Sequence, residues 1–390
     1  MMKFRRILTF IFAFLFAFCS LITPICADEA NSKSPSLSAK SALLMEAESG
    51  AVVLEKNAHT RLPMASTTKI MTALVALELA SPDTVISVDK RAIGTEGSSI
   101  YLCEGEKLTL EELLYALMLE SANDAAVAIA IGVCGSEEAF VDAMNRRATA
   151  IGLSGTHFAN PHGLDAEAHY TTAYELAIIA RTALENPLLK AIVSTRKTTI
   201  SHQDTDGVRL LVNHNKMLRQ YDGCIGVKTG YTQKSGRCLV SAAERDGVVM
   251  IAVTIDSPDD WNDHTKLLDY GFANYRRIEL CPADYQFCLP VVGGKESYVL
   301  LGVSQEVSVT LPQGVDVIEQ AIECPRHIFA SVKAGDVCGR MLFYCDTNHD
   351  GVQEIIGDIP LVAQYSVEKH LPRLPLWQRF LLWWRTLFSR

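Results

Sequence analysis

Positive charge is in short supply: 36 Lys and Arg face 45 Asp and Glu across 390 residues. The first 27 residues hold three of those cations (Lys3, Arg5 and Arg6) and no acid, so the remainder sets 33 basic residues against 45 acidic, a balance of −12. A surface of that sign excludes nucleic acid as a partner. Metal signatures are missing too. His157, His162 and His169 match neither H-E-x-x-H nor H-x-x-E-H spacing. Asp346, Asn348, Asp350 and Gly351 imitate the opening of a calcium loop, but Gly357 stands where that loop needs Glu, so a tight hairpin turn is expected there. No metal and no cofactor is expected. Eleven cysteines, nine of them beyond residue 27, cannot all pair, and mostly buried apolar thiols are expected in place of a disulfide framework.

The basic start runs into the apolar stretch Ile7 to Ile25, and Ile25-Cys26-Ala27 before Asp28 suits cleavage, so residues 1–27 read as a secretory signal. An uncleaved anchor is the alternative. Neither cysteine of this segment lies in a lipoprotein pattern. Residues 28–35 form a polar leader. Ala42 to Glu46 and Ala51 to Glu55, separated by Glu48-Ser49-Gly50, predict a β-hairpin. Ser66 to Ala80 is apolar nearly all round and predicts a buried helix. Leu110 to Glu120 and Asp124 to Val133 predict two more, with Ser121-Ala122-Asn123 as the break between them. Cys224 to Lys228, Arg237 to Glu244 and Val248 to Ile255 predict an antiparallel meander, turning near Ser235-Gly236 and Asp246-Gly247.

These segments imply an α+β domain, a sheet flanked by helices, over about 36–277. Residues 278–370 predict a small all-β domain, with runs such as Val307 to Leu311 and Met341 to Tyr344. After Pro372 and Pro375, a helix from Leu376 places Arg379, Arg385, Thr386, Ser389 and Arg390 on one arc and Trp377, Phe380, Leu381, Trp383, Trp384, Leu387 and Phe388 on the other, with Leu382 misplaced. Arginines interrupt it too often for a span. Its composition is that of an interfacial membrane helix, so residues 371–390 are expected to dock on a membrane surface; docking on the protein's own core is the alternative.

Three short motifs carry the chemistry: Ser66-Thr67-Thr68-Lys69, Ser121-Ala122-Asn123 and Lys228-Thr229-Gly230. Ser66 and Lys69 stand three apart on one helix face, so an amine can reach a hydroxyl that needs a base to become nucleophilic. Burial and a like charge at Lys228 would keep that amine neutral. A helix start with Ser66 as cap is the structural alternative. Ser121 can relay a proton, and Asn123 can hold a substrate carbonyl and Lys69, or else cap the helix that begins at Asp124. Lys228-Thr229-Gly230 reads as closing a strand whose exposed edge can pair with an extended peptide, with Lys228 and Thr229 available to a carboxylate.

Together the motifs resemble the S-x-x-K, S-x-N and K-T-G set of the low-molecular-mass penicillin-binding proteins, specifically secreted D-alanyl-D-alanine carboxypeptidases. Met45-Glu46-Ala47-Glu48-Ser49-Gly50, Asn160-Pro161-His162-Gly163-Leu164, Asn213-His214-Asn215-Lys216 and Lys228-Thr229-Gly230-Tyr231-Thr232 extend the resemblance over about residues 36–370. It implies a serine β-lactamase/transpeptidase-like domain, a β-rich domain, often a C-terminal amphipathic anchor, and an oxyanion hole built from the N–H groups of Ser66 and Tyr231. It implies a Ser66 acyl-enzyme acting on peptidoglycan stem peptides, acylation by β-lactam antibiotics, and a location on the extracytoplasmic face of the cytoplasmic membrane. Some members place an arginine after the third strand to bind the terminal carboxylate. Here Asp256 to His264 has none, which leaves Lys228 and Thr229 and opens D,D-endopeptidase activity as an alternative. A β-lactamase with Asp165 or Glu167 positioning water is a second alternative, and a non-catalytic peptidoglycan-binding protein a third.

Overall fold

The computed structural model describes residues 34–202, 207–315, 317–347, 351–370 and 375–388. The expected signal segment, most of the leader, Asn348, Asp350, Pro372, Ser389, Arg390 and the side chains of Leu382, Arg385, Thr386, Leu387 and Phe388 lie outside the described residues.

The hairpin forms as β1, Ser41–Glu46, and β2, Val52–Lys56. The meander forms as β3, Cys224–Thr232, β4, Gly236–Arg245, and β5, Val248–Ile255. β1 pairs with β5, giving one antiparallel sheet of order β2-β1-β5-β4-β3. Asp246 and Gly247, with φ of 49° and 76°, make the two-residue turn between β4 and β5, a conformation that admits Gly and Asp more readily than most residues. Side-chain alternation then separates two cores: Leu43, Met45, Val240, Ile251 and Val253 point to one, and Ala42, Leu44, Leu239, Met250 and Ala252 to the other.

The first core is filled by helices with almost no polar face. Every residue from Lys69 to Ala76 of α1, Lys69–Leu79, is buried, as is every residue from Asn123 to Ile131 of α3, Asn123–Cys134. Between them α2, Leu110–Tyr115, opens with a Thr109/Glu112 capping box and passes into a wide turn, Ala116–Glu120. The second core is closed by α4, Asp260–Asn274, through Leu267 and Leu268.

Helix α4 hands over directly at Tyr275 to β6, Tyr275–Cys281. Strands β7, Gln286–Val292, β8, Tyr298–Gly302, β9, Val307–Pro312, β10, Glu319–Glu323, β11, Ile328–Phe329, β12, Val337–Cys345, and β13, Glu354–Ala363, complete the β-rich part. β6 pairs with β9, and the others form a sheet of order β10-β12-β13-β8-β7-β11, antiparallel except for β7 with β11. The C-terminal helix is α5, Leu376–Phe388.

One expectation falls partly outside the described residues and two change. The β12–β13 ladder ends at the Cys345–Glu354 pair, and Asn348 and Asp350 of the tight turn expected beyond it lie outside the described residues. Lys228-Thr229-Gly230 lies in mid-strand, since β3 stays paired with β4 as far as Thr232. Of the nine cysteines only Cys238, Cys281 and Cys345 are buried; Cys103 and Cys288 are exposed, Cys288 because it falls on the solvent side of β7.

Candidate active site

Ser66 sits in a short 3₁₀ turn, Ala65–Thr68, that feeds α1. It does not cap the helix: the turn shows no side-chain cap, and the Ser66 hydroxyl faces Lys69 instead. Lys69 is fully buried and its Nζ makes three bonds, to Ser66 Oγ at 3.0 Å, Asn123 Oδ1 at 2.6 Å and the His162 carbonyl at 2.6 Å. Burial holds the amine well below its usual range, the charge on Lys228 lowers it further, and Asp124 opposes both.

The two oxygens can only accept. A neutral amine has two N–H bonds and one lone pair, and the hydroxyl is the sole member of the trio able to donate back. Once Asn123 and His162 take the two hydrogens, the lone pair is left for Ser66. The orientation of the Asn123 amide is settled by its own partners, because Nδ2 donates to the Glu96 carbonyl at 2.5 Å. Asn123 is therefore the first residue of α3 and not its cap, which is Ala122.

Ser121 holds a left-handed conformation, φ 60° and ψ 31°, at the end of the Ala116–Glu120 turn, which throws its side chain off the helix and into the cleft. Across from it stands β3, the edge strand of the main sheet. Thr229, Gly230 and the exposed Tyr231 line the cleft, while Lys228, 1% exposed, lies beneath its surface with Nζ bonded to the Thr229 carbonyl at 3.0 Å. Burial brings Lys228 down to about 7, against the opposing pull of Glu120. A Cβ on Gly230 would lie 3.0 Å from Ser66 N, a contact that strand and turn could admit only by moving apart, so the glycine lets the strand approach Ser66 this closely.

The cleft encloses about 340 Å³ between Ser66, Ser121, Thr229, Gly230, Tyr231 and five further residues. These are Ser98, His214, Arg237 and a closing pair from α4, Asp260 and Trp261. Arg237 faces Tyr231 across the β3–β4 ladder. Its Nε donates to Asp260 Oδ1 at 3.0 Å, and its guanidinium lies 5.9 Å from the centre of the Trp261 ring. The cleft thus contains an arginine after all, supplied by β4 and not by the segment after β5. Sequence reasoning missed it because only strand register brings residue 237 opposite Tyr231, the residue that follows the third motif.

Asp124 was also missed. Its carboxylate gathers Ser99 Oγ at 2.6 Å, Leu102 N at 3.1 Å and Ile100 N at 3.2 Å, which ties down the loop carrying Ser98. The Asn160-Pro161-His162-Gly163-Leu164 turn packs against the Ala65–Ser66 peptide. Gly163, φ 96°, has room for no side chain, since a Cβ would lie 2.0 Å from the Ala65 carbonyl oxygen. Asp165 and Glu167 are exposed, and Asp165 Oδ1 accepts from Thr232 Oγ1 at 2.9 Å.

Residues 28–259 match the family described as D-alanyl-D-alanine carboxypeptidase, and residues 275–369 match the penicillin-binding protein 5 C-terminal domain. Among similar proteins, the D-alanyl-D-alanine carboxypeptidase DacF of Bacillus subtilis is 34% identical over 85% of this chain and 86% of its own length. DacC of Escherichia coli is 32% identical over 90% of each. The crystal structure of penicillin binding protein 5 from Haemophilus influenzae superposes with a TM-score of 0.66 at 27% identity, covering 86% of this chain and 99% of that one.

Proposed function

Because this chain belongs to the D-alanyl-D-alanine carboxypeptidase family of serine peptidases that penicillin inhibits, we propose that Ser66 is its nucleophile and Lys69 the base that activates it. The observation that carries this assignment is the Lys69 bonding pattern, two pure acceptors and one hydroxyl around a buried amine. Ser66 Oγ gives its proton to Lys69 Nζ and attacks the carbonyl carbon before the terminal D-alanine. The carbonyl oxygen, now negative, is held by the N–H groups of Ser66 and Tyr231, worth roughly 3 kcal/mol each in sites of this kind. The proton passes through Ser121 to the departing amine, the C–N bond breaks, and water hydrolyses the ester.

Asn123 orients Lys69 and offers its remaining amide hydrogen to the peptide. Thr229 and Gly230 on the open edge of β3 receive the extended substrate, and Lys228 supplies charge from beneath. Arg237, held on Asp260, supports carboxypeptidase over endopeptidase action, because it gives the cleft a fixed cation for a free terminal carboxylate. The exposed placement of Asp165 and Glu167 supports no water-positioning acid of the β-lactamase kind.

In this reading residues 1–27 are a secretion signal, 28–35 a leader, 36–277 the catalytic domain and 278–370 a β-rich support. Residues 371–390 are an interfacial anchor, placing the enzyme on the extracytoplasmic face of the membrane. Mass spectrometry of the mature protein tests the core of it. Incubation with penicillin is expected to add one penicilloyl group at Ser66, and incubation with a D-Ala-D-Ala peptide to release D-alanine. A Ser66→Ala protein that still releases the amino acid would end the assignment.

A further inference from the structure

Ala65, immediately before the nucleophile, has φ 47°, a left-handed conformation that a residue with a Cβ adopts only when its surroundings hold it there. The peptide joining it to Ser66 is planar and trans, so the Ala65 carbonyl and the Ser66 N–H point in opposite directions. Whatever holds the carbonyl inward aims the N–H outward, to the side where Gly230 of β3 approaches Ser66 N.

The carbonyl is held by a chain of three groups. Thr68 Oγ1 donates to the Ala65 oxygen at 2.7 Å, and Thr68 Oγ1 is itself 2.7 Å from His169 Nε2. His169 Nδ1 accepts from the Ala159 backbone N–H at 3.0 Å, a donor that cannot reverse. In the neutral ring the proton therefore sits on Nε2, the imidazole donates to Thr68, and Thr68 can only donate onward to Ala65. Burial pushes His169 down to about 4, which keeps the ring in this neutral form near neutral pH. Thr68 and His169 are both buried and neither lines the cleft.

We propose that His169 is a positioning residue for the oxyanion hole: its Nε2–H, acting through the Thr68 hydroxyl, anchors the Ala65 carbonyl and so aims the Ser66 N–H at the substrate oxygen. The inference rests on Ser66 being the nucleophile. It adds a residue about a hundred positions away in sequence that touches no substrate atom and acts on the rate through one peptide plane.

The test uses the mature full chain with His169→Leu, His169→Gln, Thr68→Val and Thr68→Ser. Each protein is checked for unaltered thermal unfolding, then acylated with penicillin across a concentration series that separates the noncovalent binding constant from the acylation rate constant. Loss of the relay is expected to lower that rate constant by about 10- to 100-fold in the Leu and Val variants, below the full loss of one oxyanion donor, with binding changed by no more than about threefold. Glutamine can accept from Ala159 through Oε1 and donate to Thr68 through Nε2, and serine keeps the hydroxyl, so both are expected to recover to within about threefold of the parent. Infrared spectra of the penicilloyl adduct supply a second readout. The ester carbonyl stretch should move to higher frequency in the Leu and Val variants and return in the Gln and Ser variants.

Folded Leu or Val variants that acylate at the parent rate would overturn the proposal, as would an unmoved carbonyl stretch or a Gln variant no better than Leu. Should His169→Leu fail to fold, the near-isosteric Thr68→Val protein carries the same comparison. Absence of any adduct on Ser66 in the parent would instead remove the nucleophile assignment, which is a different failure.

Discussion

A carbonyl oxygen can accept a hydrogen bond and never return one, and two such oxygens decide what Lys69 can do. At the residue scale the three motifs were legible because each joins reactive side chains at a spacing that local structure converts into proximity. The groups that complete the site were not legible. The His162 contribution is a backbone carbonyl, which any residue carries, and Arg237 depends on register between two strands. His162 and His169 do flank the site, yet through a backbone oxygen and a ring hydrogen bond. Arg237 yields a prediction at this scale. Arg237→Ala should weaken kcat/KM for a peptide ending in a free D-alanine carboxylate by roughly 10- to 100-fold, the range for losing a charge-assisted bond at a partly exposed site. The same peptide with an amidated end should change by less than about threefold, so the ratio of the two rates is the measurement. Equal losses on both peptides would show that Arg237 only braces the cleft.

Among the elements, hydrophobic period identified the buried helices and the meander because both leave strong patterns. It could not show that the second motif follows a wide turn, since Ala116–Glu120 differs from an α-helix only in its hydrogen-bond spacing. Nor could it place the third motif in mid-strand, where continuation depends on β4 as a partner. The C-terminal helix is the element with a prediction of its own. Leu376, Trp377, Phe380, Leu381, Trp383 and Trp384 are each about half exposed or more, and the Phe380 ring packs at a tilt against Trp383 and Trp384, with centroids 5.7 and 5.9 Å apart. No helix among the described residues is long and apolar enough to cross a membrane. If these aromatics enter an interface, the mature protein should float with anionic lipid vesicles in a density gradient, and a chain ending at residue 370 should stay at the bottom with its penicillin acylation intact. Equal flotation of the two chains would locate membrane contact elsewhere.

At the scale of the whole molecule, three buried histidines share one electrostatic fate. Burial lowers His162 to about 3, His169 to about 4 and His264 to about 3, each from an ordinary value near 6.5. A depressed histidine is neutral in the fold, while the unfolded chain takes up its proton once pH drops below about 6.5. Their contribution to stability is therefore whole above that pH and is lost progressively between about 6.5 and 3 to 4. The midpoint of thermal unfolding should fall steadily across that window. Replacing His264, which sits between Ser241 and Thr254 away from the cleft, by Gln should flatten the slope by about one proton. An unfolding midpoint that stays level from pH 7 to 4.5 would mean these rings are not held neutral.

The junction at Tyr275, where α4 becomes β6 without an intervening residue, bears on how such an enzyme meets an insoluble polymer. No linker separates them, and just past the junction Arg277 Nη1 donates back to Glu48 Oε2 at 2.8 Å and to the Gly247 carbonyl at 3.3 Å, contacts that couple the cleft's sheet to the strands that follow. If residues 371–390 tether the protein as proposed, its access to successive stem peptides comes from the tumbling of the whole body about that tether, and a crosslink that immobilises the β-rich end should silence turnover on intact wall while leaving hydrolysis of a small soluble peptide untouched.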